Sequence, residues 1–321
     1  MPSPSVCITA RFLTLDLPWY AEWLAYHERL GVDHFYLHYF DDRYLPLGEV
    51  LSYFPKEKVS LVQLPKSVAQ MDFIGKIPRR GKEEYLLHID SDEFLVLPPG
   101  MATIGDYLEA MNRPELIRIP WVMCPWVGDP FPSLSEQSRQ IPSYGVTQYK
   151  SLASSSIAVG CGDSHEFLLK RPPVSQMMEA QGRVLHFASR SIEDTYLRCR
   201  DQALTNNHGG DSEKLRLLMD PERTAIRVAE IPKRILAALG EVSCDNTRGL
   251  FPLSGDGCPA TNTALLGALC SREEKELFAL RWRDLLKAGM FVGFSIRDRP
   301  KWETWMHLEP LMEDVIPLTK P

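Results

Sequence analysis

Tyr85-Leu86-Leu87-His88-Ile89-Asp90-Ser91-Asp92-Glu93-Phe94-Leu95 is the stretch that decides how this chain reads. A short apolar run meets Asp90, Asp92 and Glu93, three carboxylates within four positions. Such a run reads as a buried strand of an α/β sheet, and sheets of that class place ligands beyond the carboxyl ends of their strands. Strand side chains alternate, so Asp90 and Asp92 are expected to point one way and Ser91 the other. Two converging carboxylates repel each other unless a cation lies between them. A hard divalent ion with oxygen ligands, shared with phosphate, answers that need. A solvated acidic turn explains a lone D-x-D equally well, so the flanking sequence has to decide.

The 321 residues hold one large domain, or one domain with a modest extension. With 44% hydrophobic and 24% charged residues the composition is that of an ordinary globular protein. A net charge of −6 argues against nucleic acid or an anionic membrane as the main partner. Cys7, Cys124, Cys161, Cys199, Cys244, Cys258 and Cys270 are scattered and form no C-x-x-C pair, which suits reduced thiols. No basic start with an apolar core opens the sequence, and no run of about 18 apolar residues is present. The expectation is a cytoplasmic protein with no membrane span.

Upstream, 6–12 reads as a strand, and Trp19, Trp23, Leu24, Tyr26 and Leu30 recur at helical spacing until Gly31 stops the helix of about 18–30. Strands follow at 34–40 and 59–64, a rhythm that implies parallel βαβ units. Downstream, the pattern predicts a helix near 103–112, strands at 116–124 and 184–187, and a helix from Ser191 to about 203. A Pro/Ser/Gly-rich loop fills 125–149. The composition shifts after 205, which divides the chain into a catalytic unit, 1–205, and a mainly helical extension, 206–321. Helices are expected there at 222–239 and 271–288, the second opened by a Ser271/Glu274 capping box, with 244–263 as loop.

Three ordered segments resemble one family. Trp19-Tyr20-Ala21-Glu22-Trp23-Leu24-Ala25-Tyr26-His27, running on to Leu30-Gly31-Val32, is similar to the opening βα unit of family-2-like and family-92-like glycosyltransferases. Asp90-Ser91-Asp92-Glu93-Phe94 resembles their D-x-D-E-F metal signature. Leu185-His186-Phe187, with Ser191 and Glu193, resembles their later H-Y-x-x-(K/R)-S-x-E-E element. The likeness spans residues 6–203. It implies a GT-A fold, a Rossmann-like and mostly parallel sheet flanked by helices, binding a nucleotide sugar through Mn²⁺ or Mg²⁺. By the same resemblance Asp92 is the main metal ligand, Asp90 lies at the ribose or reaches the metal through water, and His186 supplies a further ligand. Asp16 and Asp41 are expected at the base or ribose, although Thr14-Leu15-Asp16 and Phe40-Asp41-Asp42 depart from the family's K-N-E and Y-D-N patterns. UDP is the default nucleotide.

Transfer with inversion needs a carboxylate base beside the acceptor hydroxyl, and metal or cationic groups beside the leaving diphosphate. Glu166 and Asp163 are the candidate bases, with His165 as a neighbour. Lys150 and Arg190 are candidate diphosphate contacts, and Trp121 and Trp126 could form a platform for an acceptor sugar or pack in the core. Glu93 reads as the residue that orients the acidic turn. The leading function is metal-dependent glycosyl transfer from a UDP-sugar to a glycan or other hydroxyl. Nucleotidyl transfer, or a catalytically silent nucleotide- or sugar-binding protein on the same scaffold, are the alternatives.

Overall fold

The computed structural model describes residues 3–39, 54, 56–63, 83–123, 148–161, 165–177, 181–187, 192–205, 228–238 and 259–287. Its centre is a nine-stranded sheet in the order β3-β2-β1-β4-β7-β6-β11-β5, with β10 beside β6. The strands are β1 (Val6–Phe12), β2 (His34–Tyr39), β3 (Val59–Gln63), β4 (Tyr85–His88), β5 (Glu93–Val96), β6 (Leu116–Met123), β7 (Gln148–Ser154), β10 (Gln176–Met177) and β11 (Arg183–His186). A separate antiparallel pair joins β8 (Ala158–Cys161) to β9 (Phe167–Leu169). The pairings β1–β2, β1–β4, β2–β3, β6–β10 and β6–β11 are parallel, whereas β7 and β5 run against their neighbours. The expected α/β class, a mostly parallel sheet flanked by helices, is present.

Alternation along β1 divides the core. Val6, Ile8, Ala10 and Phe12 enter the larger cluster with α1 (Leu17–Arg29), while Cys7 joins Tyr36, Leu116, Ala153, Cys161 and Phe167 on the opposite face. The buried face of α1 carries Trp19, Tyr20, Trp23 and Leu24, and Pro18 sits in its first turn, where a missing N–H costs nothing. The helix ends in a Schellman motif. Gly31 at φ +86° donates to Glu28 O, and Val32 donates to His27 O. Thr103 and Asp106 form a capping box at the start of α2 (Ile104–Ala110).

Three side chains of α1 bond the backbone of β5. The indole of Trp23 donates to Glu93 O at 2.8 Å, the Tyr26 hydroxyl donates to Leu95 O at 2.8 Å, and the Leu95 amide donates to His27 Nε2 at 3.3 Å. β5 is a strand that the sequence reading absorbed into the acidic motif. β7 is also new, because Gln148–Ser154 lacks a clean apolar alternation.

After β11 comes α3 (Ile192–Thr205), followed by a helical segment at 228–238, α4 (Pro259–Leu269) and α5 (Arg272–Lys287). α4 begins inside the stretch expected to be loop. Pro259 suits the first turn of a helix, and the apolar residues behind it are buried against α1. The Ser271/Glu274 capping box is present, with Glu274 N–H donating to Ser271 Oγ and Ser271 N–H to Glu274 Oε2. Ile231, Ile235, Leu265, Leu269 and Phe278 share the core cluster of the sheet. Buried Arg200 of α3 donates to Leu269 O at 2.9 Å. Residues 206–227, where the division of the chain was expected, lie outside the described set.

Candidate active site

β1 has β2 and β3 on one side and β4 on the other, so the chain reverses its direction of travel across the sheet between β1 and β4. The crevice beyond the carboxyl ends of two such strands is where open α/β sheets bind ligands. Asp16 lies there in the single turn Thr14–Asp16 after β1, and Asp90 and Asp92 lie there after β4.

β4 stops at His88, and the acidic motif occupies a turn closed by Glu93 N–H donating to Asp90 O. Strand alternation therefore does not extend to Asp90 and Asp92, and the two carboxylates face different cations. Asp90 Oδ2 is 3.7 Å from Lys150 Nζ, whereas Asp92 Oδ2 accepts from Arg198 Nη2 at 2.9 Å and lies 3.4 Å from His186 Nε2. His186 reaches this point because β11 runs parallel to β6 and its terminal residue is followed by a Phe187 amide that donates to Asp92 O.

Glu93 locks the turn from below. Its Oε1 accepts from Trp121 Nε1 at 2.7 Å, and its Oε2 accepts from the Asp90 amide and from Lys150, each at 2.8 Å. Burial raises the Glu93 pKa and Lys150 opposes that shift. All three bonds are accepted by the carboxyl group, which fits the ionised form. Burial lowers the Lys150 pKa, but Glu93 and Asp90 outweigh it and raise the value overall. Asp90 is likewise held below the usual carboxylate range by Lys150 against the effect of burial. Lys150 therefore lies beneath the turn as its counter-ion, fully buried, and not open to a diphosphate.

Trp121 connects two expected residues. Its ring stacks on His186 with centroids 4.7 Å apart and meets His165 edge-on at 5.5 Å. Glu166 is exposed and pairs with Arg118 at 2.9 Å. Asp41, Asp163, Arg190 and Trp126 lie outside the described residues.

Arg198 is the residue that sequence reading missed. On α3, one turn after Asp194, its Nε lies 3.1 Å from Asp194 Oδ2, while its Nη2 reaches Asp92 and comes within 3.8 Å of Asp16 Oδ1. Burial lowers its pKa, and Asp194, Asp92 and Asp16 more than reverse that, so it stays charged. The i, i+4 spacing of Asp194 and Arg198 was the available signal, but such spacing marks many ordinary helix pairs.

The donor chemistry suits a divalent ion. A carboxylate oxygen and an imidazole nitrogen, Nε2, meet at Asp92 and His186, and the other ring nitrogen of His186, Nδ1, is buried with no hydrogen-bond partner among the described residues. Among the described residues, however, no three His, Cys, Asp or Glu side chains converge to hold a metal together. Arg198 holds the Asp92 oxygen, and Asp90 faces Lys150.

No family model matches the sequence, and no curated protein matches it. Similar solved structures include S. aureus TarS residues 1–349 in complex with UDP, at 12% identity over 91% of this chain and 94% of that one, with a TM-score of 0.36. A mannosyltransferase from Pyrobaculum calidifontis in complex with GDP-Man and Mn²⁺ is 10% identical over 98% of this chain and 84% of that one, TM-score 0.35. HddC from Yersinia pseudotuberculosis is 12% identical over 62% and 99%, TM-score 0.37. At these scores the strand order and the site have to be read from the chain itself. No helix among the described residues is long and apolar enough to cross a membrane.

Proposed function

We propose that this chain is a glycosyltransferase of GT-A type that takes a nucleotide-diphosphate sugar, UDP-linked by default, and transfers the sugar to a hydroxyl acceptor with inversion. One observation carries the reading. Asp16, Asp92 and His186, from three separate strand ends, meet at the crevice where the strand order reverses. A divalent ion held by Asp92 and His186, with Asp90 beside them, would supply positive charge against the leaving diphosphate. Asp16 and Asp41 are assigned to the ribose or base and Arg190 to the diphosphate. The acceptor hydroxyl would give its proton to Glu166 or Asp163. His165 packs on Trp121, the ring that also stacks on His186.

The test is calorimetric titration of UDP, GDP, dTDP and CMP, with and without Mn²⁺, on wild type and Asp92→Ala. UDP is expected to bind wild type and to lose binding in the variant, and incubation with UDP-sugars is expected to release UDP. Failure of every nucleotide to bind overturns the reading in favour of a silent scaffold. Pyrophosphate release from a nucleoside triphosphate and a sugar 1-phosphate would show nucleotidyl transfer instead.

A further inference from the structure

Arg198 is tied to buried Asp194 by Nε at 3.1 Å, while Nη2 extends to the far side and lies 2.9 Å from Asp92 Oδ2. His186 Nε2 faces the same Asp92 oxygen at 3.4 Å. A divalent ion coordinated by that oxygen would lie about 2.1 Å from it. The guanidinium N–H already occupies one lone pair of that oxygen and places a unit positive charge within a few ångströms of any ion bound there. The two cations therefore oppose each other's binding.

We propose that Arg198 is a resident counter-ion that competes with the divalent ion for Asp92, so that metal enters only as the guanidinium withdraws. This rests on the reading of Asp92 as a metal ligand of the transferase. Nε keeps its bond to Asp194 during withdrawal, so the guanidinium turns about that tether and stays in the crevice. Without the ion, Arg198 holds the turn after β4, the turn after β1 and α3 together through Asp92, Asp16 and Asp194. With the ion and a diphosphate present, the freed N–H groups acquire phosphate oxygens as partners, a match to which the planar guanidinium is suited. Metal and nucleotide then favour each other's binding by the same factor, as linkage requires. Metal alone has to displace an ion pair with nothing to receive the displaced cation.

The experiment titrates Mn²⁺ into nucleotide-free wild type, Arg198→Met and Arg198→Lys, following free Mn²⁺ by electron paramagnetic resonance. Removing a unit charge next to a divalent ion is expected to tighten Mn²⁺ binding roughly tenfold or more in Arg198→Met, while Arg198→Lys stays close to wild type. Binding in Arg198→Met that is no tighter than in wild type, or Mn²⁺ binding in none of the three proteins, overturns the proposal. If Arg198→Met fails to fold, the Arg198 Nε–H resonance of wild type gives an independent readout. It is expected to shift on saturation with Mg²⁺, and an unchanged resonance overturns the proposal. The UDP titration reports separately on the transferase reading, so the two can fail independently.

Discussion

His27 makes stability depend on pH in a direction that its partners dictate. Its Nδ1 lies 2.9 Å from Trp23 O, and its Nε2 accepts from the Leu95 amide at 3.3 Å. A carbonyl can only accept and an amide can only donate, so this pocket requires the neutral ring with hydrogen on Nδ1. Burial lowers the pKa from 6.5 to about 3, against a smaller upward pull from the Trp23 carbonyl. The folded value lies below the unfolded one. The contribution is therefore complete above pH 6.5 and is lost as the pH falls toward 3, because the unfolded chain takes up the proton first. Between pH 7 and pH 5 the loss from this one ring is about 2 kcal/mol. Urea denaturation of wild type and His27→Gln at pH 7, 6 and 5 measures it. His38 and His88, which burial holds at about 3 and about 4, titrate in both proteins and cancel in the difference. The stability gap between wild type and variant should narrow by about 2 kcal/mol over this range, with unchanged denaturant slopes. A gap that stays constant from pH 7 to pH 5 would refute the neutral-ring assignment.

Two further substitutions probe the elements that hold the site. Glu93→Gln keeps the shape of the buried side chain but removes the charge facing Lys150, and urea denaturation should show a loss of about 3–5 kcal/mol; a loss below about 1 kcal/mol would mean that the pair is unimportant to the turn. Gly31→Ala places a methyl group at φ +86°, 3.1 Å from Thr103 Cβ, and should cost about 1–2 kcal/mol in the same assay without changing nucleotide affinity.

What the sequence revealed follows the range of the interactions involved. β1, α1, β2 and β4 were legible because each buries a contiguous or helically spaced apolar pattern, and Gly31 is a local signal with a local cause. Asp92 and His186 were legible as polar residues ending apolar runs. Arg198 was not, because the contact that gives it meaning joins residues 106 positions apart. The local conformation of the acidic motif was hidden for a related reason. Strand periodicity was extended past His88 to Asp92, whereas the strand ends at His88 and the turn is set by Glu93 bonding the Asp90 amide. The short strand β5 was hidden within the acidic motif, since four residues carry too little period to identify a strand.

The contacts of Trp23, Tyr26 and His27 with β5 have a consequence beyond anchoring. Among the described residues β5 is the last strand in the sheet order, and a terminal strand ordinarily offers a row of unpaired amides and carbonyls to any other chain that can align with it. Here the Glu93 carbonyl and both backbone groups of Leu95 are already bonded to side chains of a helix. Aromatic and imidazole groups spaced three and four residues apart along α1 take the bonds that a neighbouring strand would otherwise make. The sheet is thereby closed to edge-to-edge recruitment of a second copy at the strand that begins with Glu93.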